Sequence, residues 1–154
     1  HDLSKYSPTE FLTGAKYYQG TRSPNAAERE DKGYSTAWMH HKGRNRHHYE
    51  YWTDMDPIKK DYAAQPMPRK YLVEMVMDRR AACMVYEGKN YNPGSALAYF
   101  EKSRERTLMH PRTQKVISYL ITMLKEQGEE KTFHYLKHSI LKGKPFPWEA
   151  EKPE

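Results

Sequence analysis

The sequence predicts an all-α fold, a helical bundle, from three observations. Apolar residues recur at three- and four-residue steps over the longest segment, Pro68 to about Glu87. Helix-start signatures precede further runs: Ser7-Pro8, Ser95 and His110-Pro111. Alternating strand patterns are scarce, and there is no internal repeat. Hydrophobic residues make up only 37% of the 154, yet aromatics reach 13%, with thirteen Tyr. Disordered chains are poor in aromatics, so a folded domain with a wet surface is expected. One domain is read over residues 1–142, followed by a Pro-rich tail, 143–154, that hugs the surface or frays.

In chain order, residues 1–20 read as the end of one helix, a break and a second helix. Ser7 is its N-cap, Pro8 its first residue and Glu10 the third-position partner of a capping box. Pro8 to about Tyr18 sets Phe11, Leu12 and Ala15 on one face. Residues 19–33 are polar with Gly, Pro and Asn, and read as a long loop, a candidate lid. Tyr34 to Lys42 is helical, Gly43 and Asn45 turn the chain, and His47 to Trp52 starts a short helix. The turn lets His41 and His47/His48 converge from two segments. Residues 53–67 read as a polar connection.

The Pro68–Glu87 helix follows, its stripe formed by Tyr71, Met75, Asp78, Ala82 and Val85, widened by Leu72, Val76 and Cys83. Ser95 caps a helix to about Arg104. His110-Pro111 opens another to about Gln127, with Val116, Leu120, Met123 and Leu124 inward; Gly128 stops it, and residues 129–141 form the last helix.

Net charge is +6, which favours phosphate or polyanion partners. A lone cysteine, Cys83, excludes an internal disulfide and fits a reducing, cytoplasmic setting. No stretch of about 20 apolar residues is present, so no membrane span is expected.

The chemistry concentrates in residues 40–50. Four of the eight histidines, His40, His41, His47 and His48, fall within nine residues, and Glu50 follows at once. Imidazole does little for a core, but it is the commonest metal ligand. Asp78 sits on an apolar helix face, where a lone carboxylate is costly unless a metal or an arginine offsets it. Plainer readings stand beside these: a solvated turn for the histidines, a salt bridge for Asp78, a helix-end cation for Lys5, and a structural or orienting role for Glu50. His134 and His138, four residues apart, read as surface residues, and Trp38, Tyr49, Tyr51 and Trp52 as the wall of the core.

The run His1-Asp2-Leu3-Ser4-Lys5 has the form His-Asp, aliphatic, small, Lys. On it the chain resembles the HD-domain superfamily. The run His41…Asn45…His47-His48…Glu50 is similar to an uncharacterised bacterial and phage family that bears a domain-of-unknown-function label. The likeness spans most of residues 1–140. It implies an HD-like helical bundle with a metal site in which His1 and Asp2 are the paired ligands. In that reading Asp2 bridges two ions, Asp78 closes the set, and His41 with His47 or His48 serves the second ion. The first histidine of the pattern belongs on a preceding helix, which the domain either lacks or has ahead of His1. The separation of six or seven positions from His41 to His47/His48 is shorter than two-metal members have.

Mixed His/carboxylate ligands without thiolate suit one or two ions of Fe, Mn, Ni, Co or Zn. In a two-metal hydrolase such ions clamp a phosphate and acidify a water. Lys5 and Arg79 or Arg80 would then neutralise phosphate oxygens, Glu50 would be base or orienting partner, and Arg44 and Arg46 would line an anion-friendly mouth. The expected activity is a metal-dependent phosphohydrolase acting on a nucleotide or another phosphate ester. The alternatives are an HD-fold di-iron oxygenase, separable by the metal bound, and a non-catalytic basic module that binds nucleic acid, for which no groove signature is visible.

Overall fold

The chain, described here from a computed structural model over residues 1–150, is all-α apart from one small hairpin. It divides into two compact units, residues 1–64 and residues 65 onward. Each is described by itself. Among the described residues no helix is long and apolar enough to cross a membrane.

The first unit begins with a single 3-10 turn, Leu3–Tyr6, and helix α1, Pro8–Tyr17. Ser7 caps α1 as expected, its Oγ accepting the Glu10 N–H at 3.4 Å. The reciprocal half of the capping box does not form. The Ser7 N–H is already satisfied by the Ser4 carbonyl at 2.9 Å, which releases the Glu10 carboxylate. That carboxylate points inward and is buried, while Phe11 and Leu12 are 61% and 65% exposed. The inner face of α1 is therefore a polar one.

The expected loop over residues 19–33 is instead largely helix α2, Pro24–Lys32. Pro24 fits the first turn, and Gly33 ends the helix at φ 80°, donating its N–H to the Arg29 carbonyl at 2.8 Å. Helix α3, Thr36–Lys42, is capped by Ser35, whose Oγ accepts the Trp38 N–H at 3.0 Å. Glu28, fully buried on α2, ties the two helices together. Its carboxylate accepts from Ser35 Oγ and Thr36 Oγ1, both at 2.7 Å, and from the Ala37 N–H at 3.3 Å. After the turn at residues 43–48 comes a 3-10 turn, Tyr49–Tyr51, where a short helix was expected. The polar connection holds a hairpin of β1, Thr53–Met55, and β2, Tyr62–Ala64, with Asp54 opposite Ala63.

The second unit carries the apolar core. Helix α4 runs Arg69–Glu87, α5 runs Ser95–Ser103, and α6 runs Pro111–Tyr135. Gly128 breaks α6 at φ 79°, ψ 176°, where the sequence placed a stop. Leu72, Met75 and Val76 of α4, Leu97 and Phe100 of α5, and Val116, Ile117, Leu120 and Leu124 of α6 are all buried. Val85 is not part of that stripe, being 71% exposed near the end of α4. Arg80 grips Glu129 with a two-pronged fork at 2.7 and 2.6 Å.

Beyond a π-helical turn, Leu136–Ile140, the described part of the tail, expected to hug the surface or fray, does not fray. Phe146 is buried and stacks on Trp148 of the short helix α7, Pro147–Ala150, while Arg69 lies 4.8 Å from the Phe146 ring centroid. Apolar and cationic contacts thus pin residues 144–148. The rest of the expected tail, 151–154, lies outside the described residues.

Candidate metal centre

Three local features bring imidazoles together in the first unit. The 3-10 turn presents Asp2 at its start, with φ 61° and ψ 26°. Aspartate tolerates this left-handed conformation better than most residues, and such strain collects at functional sites. Helix α3 presents His40 and His41 in its last turn. The 43–48 turn then reverses the chain, and Asn45 fixes it. The Asn45 backbone N–H and side-chain Nδ2 both donate to the His41 carbonyl, at 3.0 and 2.9 Å. Nδ2 also donates to Ser4 Oγ at 2.7 Å, which links the turn to the Asp2 segment.

The result centres on one oxygen. Asp2 Oδ1 is buried and has no hydrogen-bond partner among the described residues. Facing it are the Nε2 atoms of His47 at 3.4 Å, His41 at 3.7 Å and His1 at 3.8 Å. Donors held at about 2.0–2.1 Å from one tetrahedral ion stand roughly 3.4 Å apart, so these separations are compatible with a shared ion. Asp2, His41, His47 and His48 each bring one ligand atom into a set lying within 4.8 Å of one another. This His/Asp set can hold a metal ion. His48 packs between neighbours, its ring centroid 4.2 Å from His47 and 4.7 Å from His41, with Trp38 edge-on at 4.8 Å. Trp38 also stacks on His41, so it walls the cluster as much as the core.

The surrounding groups orient the donors. Lys5 Nζ holds the other Asp2 oxygen, Oδ2, at 2.6 Å and leaves Oδ1 to the imidazoles. Burial works to raise the Asp2 carboxyl, but the Lys5 hydrogen bond and charge, with His41 and His47, hold it below the ordinary range. Glu10 is the group that sequence reasoning missed. Its Oε2 lies 2.7 Å from His41 Nδ1 and its Oε1 lies 2.6 Å from His40 Nδ1. The carboxylate can only accept, so it assigns the proton of His41 to Nδ1 and turns the Nε2 lone pair toward Asp2. Burial opposes ionisation of Glu10 as well, and hydrogen bonds from His40, Ser4 and His41 outweigh it. Ser4 and Asn45 were likewise read only as motif and turn residues. Nothing local in the sequence marks Glu10 out, because its position after Ser7 already had a capping explanation.

The remaining expected residues fall as follows. Glu50 lies on the 3-10 turn just after the histidines and is not in the four-residue ligand set; its Oε2 is buried without a hydrogen-bond partner among the described residues. Arg44 and Arg46 are exposed on the 43–48 turn, Arg44 reaching the His40 carbonyl at 3.4 Å and Arg46 lying over the Tyr51 ring. Asp78 and Arg79 belong to α4 of the second unit, where the Arg79 guanidinium lies over the Tyr99 and Phe100 rings.

Compared with known proteins, residues 1–123 match the model of a family of unknown function (DUF5662), which takes in the whole cluster. No curated protein and no solved structure matches the chain.

Proposed function

The chain belongs to that family of unknown function, and from its first unit we propose a metal-dependent phosphohydrolase that acts on a nucleotide or another phosphate ester. The observation that carries the reading is the buried Asp2 Oδ1, without a hydrogen-bond partner among the described residues and faced by three imidazole Nε2 atoms at 3.4–3.8 Å. Asp2, His41, His47 and His48 would hold a divalent transition ion, with His1 beside them. Bound there, such an ion supplies Lewis-acid polarisation of a phosphoryl oxygen and an acidified water.

The chain's own residues do the rest. Glu10 keeps His41 in the Nδ1–H tautomer, and Lys5 fixes the rotation of the Asp2 carboxylate. Arg44 and Arg46 present exposed guanidinium groups on the turn that carries His47 and His48, suited to phosphate oxygens. Glu50 is assigned as proton acceptor or orienting carboxylate, on the strength of its buried Oε2, which has no hydrogen-bond partner among the described residues. The thiolate-free donor set also suits iron, so the di-iron oxygenase reading shares the same ligands.

The test is elemental analysis of protein purified without chelator, for wild type and Asp2→Ala, followed by a phosphate-release screen with the ion found. Bound Mn, Co, Ni or Zn that is lost in the variant, with metal-dependent phosphate release, supports the hydrolase. Bound iron with oxygen uptake replaces it by the oxygenase. A folded, metal-free protein overturns both.

A further inference from the structure

We propose that the ion of the first unit is also that unit's core, so that its fold is completed by metal binding while the second unit folds without it. The inference rests on the metal reading above and concerns what the unit buries. Among its described residues, the buried apolar side chains are those of Ala27 and Ala37. Every other buried residue is polar: Asp2, Glu10, Glu28, Ser35, His41, Asn45 and His47. Trp38 is half-buried and packs against the rings of His41 and His48. Phe11 and Leu12 point to solvent.

Ordering some sixty residues costs conformational entropy, which burial of apolar surface ordinarily offsets. Two alanine methyls do not. The second unit provides the contrast within one chain, burying Phe100, Ile117, Leu120, Ile121, Leu124 and Phe146 to 1% exposure or less.

A metal-bound cluster fills the gap for a stated reason. Asp2 comes from the first turn, His41 from α3, and His47 and His48 from the turn beyond it, so one ion cross-links three segments. The unfolded chain has no such preformed site, and the binding free energy therefore appears as folding free energy. Glu28 joins α2 to α3, but none of its hydrogen bonds reaches the Asp2 segment or the 43–48 turn.

The test uses the full chain stripped with EDTA and titrated with Zn²⁺, with Mn²⁺, Co²⁺ and Fe²⁺ in parallel. Bound metal is measured by elemental analysis and backbone protection by hydrogen exchange resolved to each unit. At free ion about 100 times its dissociation constant, exchange through opening of residues 36–48 slows about 100-fold, while buried α6 amides are unchanged. Metal bound at Asp2 and the histidines with no gain in protection overturns this inference and leaves the metal site standing. Failure of all four ions to bind overturns both.

Discussion

Glu28 allows a quantitative test of how α3 is held in place beneath the cluster. Its carboxylate is fully buried, yet hydrogen bonds from Ser35, Thr36, Lys32 and the Ala37 N–H overcome burial and bring its pKa from 4.5 to about 2. At about 1.4 kcal/mol per unit, that fall corresponds to roughly 3 kcal/mol of stabilisation. Because the folded-state value is the depressed one, the contribution is fully present above pH 4.5 and is lost as the pH falls toward about 2. Glu28→Gln imitates the protonated side chain at every pH. At pH 7 in saturating metal, the variant is expected to open α3, residues 36–42, up to about 300-fold more often than wild type, read by hydrogen exchange. The gap stays constant between pH 6 and 8, since Glu28 does not titrate there. Between pH 4.5 and about 2 wild type loses the advantage and the variant has none to lose. Exchange rates within about threefold of each other at pH 7, or a gap that changes between pH 6 and 8, would refute the assignment of this stability to the Glu28 charge.

Glu10→Gln keeps the size of the side chain but removes the obligate acceptor for His41. Metal affinity should fall about 10- to 100-fold in a competition titration with a chromophoric chelator. Leu120→Ala, at a site with no exposure in the second unit, should cost that unit about 2–5 kcal/mol in urea unfolding followed at Trp148. Phe146→Ala should cost about 3–5 kcal/mol by the same measurement, whereas a tail lying loosely on the surface would make it neutral.

The second unit was legible because its helices obey the 3.6-residue period and its breaks fall on Gly and Pro. Leu72, Met75 and Val76, then Val116, Leu120, Met123 and Leu124, are inward as the spacing requires. Gly128 interrupts α6 at positive φ, where the glycine was read as a stop. Helix α2 was lost to polarity. Its sequence, PNAAEREDK, buries Ala27 and Glu28, and a helix whose inner face is a carboxylate has no apolar period to detect. The hairpin escaped because each strand is three residues long, too short for alternation to register. Phe146 was read with its Pro and Lys neighbours as tail, although one fully buried aromatic ring is enough to anchor such a segment.

The site shows the same division more sharply. Histidine density alone singled out His41, His47 and His48, and Asp2 came from the His-Asp pair. The spacing from His41 to His47 is shorter than in two-metal HD proteins, yet a turn at Gly43 and Asn45 was read as letting the rings converge, and Asn45 shows how. By donating twice to the His41 carbonyl it closes the chain on itself, so a six-residue separation becomes two rings with centroids 6.3 Å apart. Glu10 lies thirty positions before His40, and its role depends on the packing of α1 against α3, which no window of sequence contains. What could be read were the groups that offer lone pairs. The acceptor that aims one of them, and the bonds by which the Asn45 amide closes a turn already read at that residue, became visible only in three dimensions. Replacing Asn45 separates these levels: Asn45→Ala removes no ligand and keeps the backbone N–H bond to the His41 carbonyl, yet takes away the Nδ2 donor shared by that carbonyl and Ser4 Oγ. Metal affinity should therefore drop with every lone pair of the ligand set still present. Unchanged affinity, in the same chelator titration, would mean that the histidines converge without the turn.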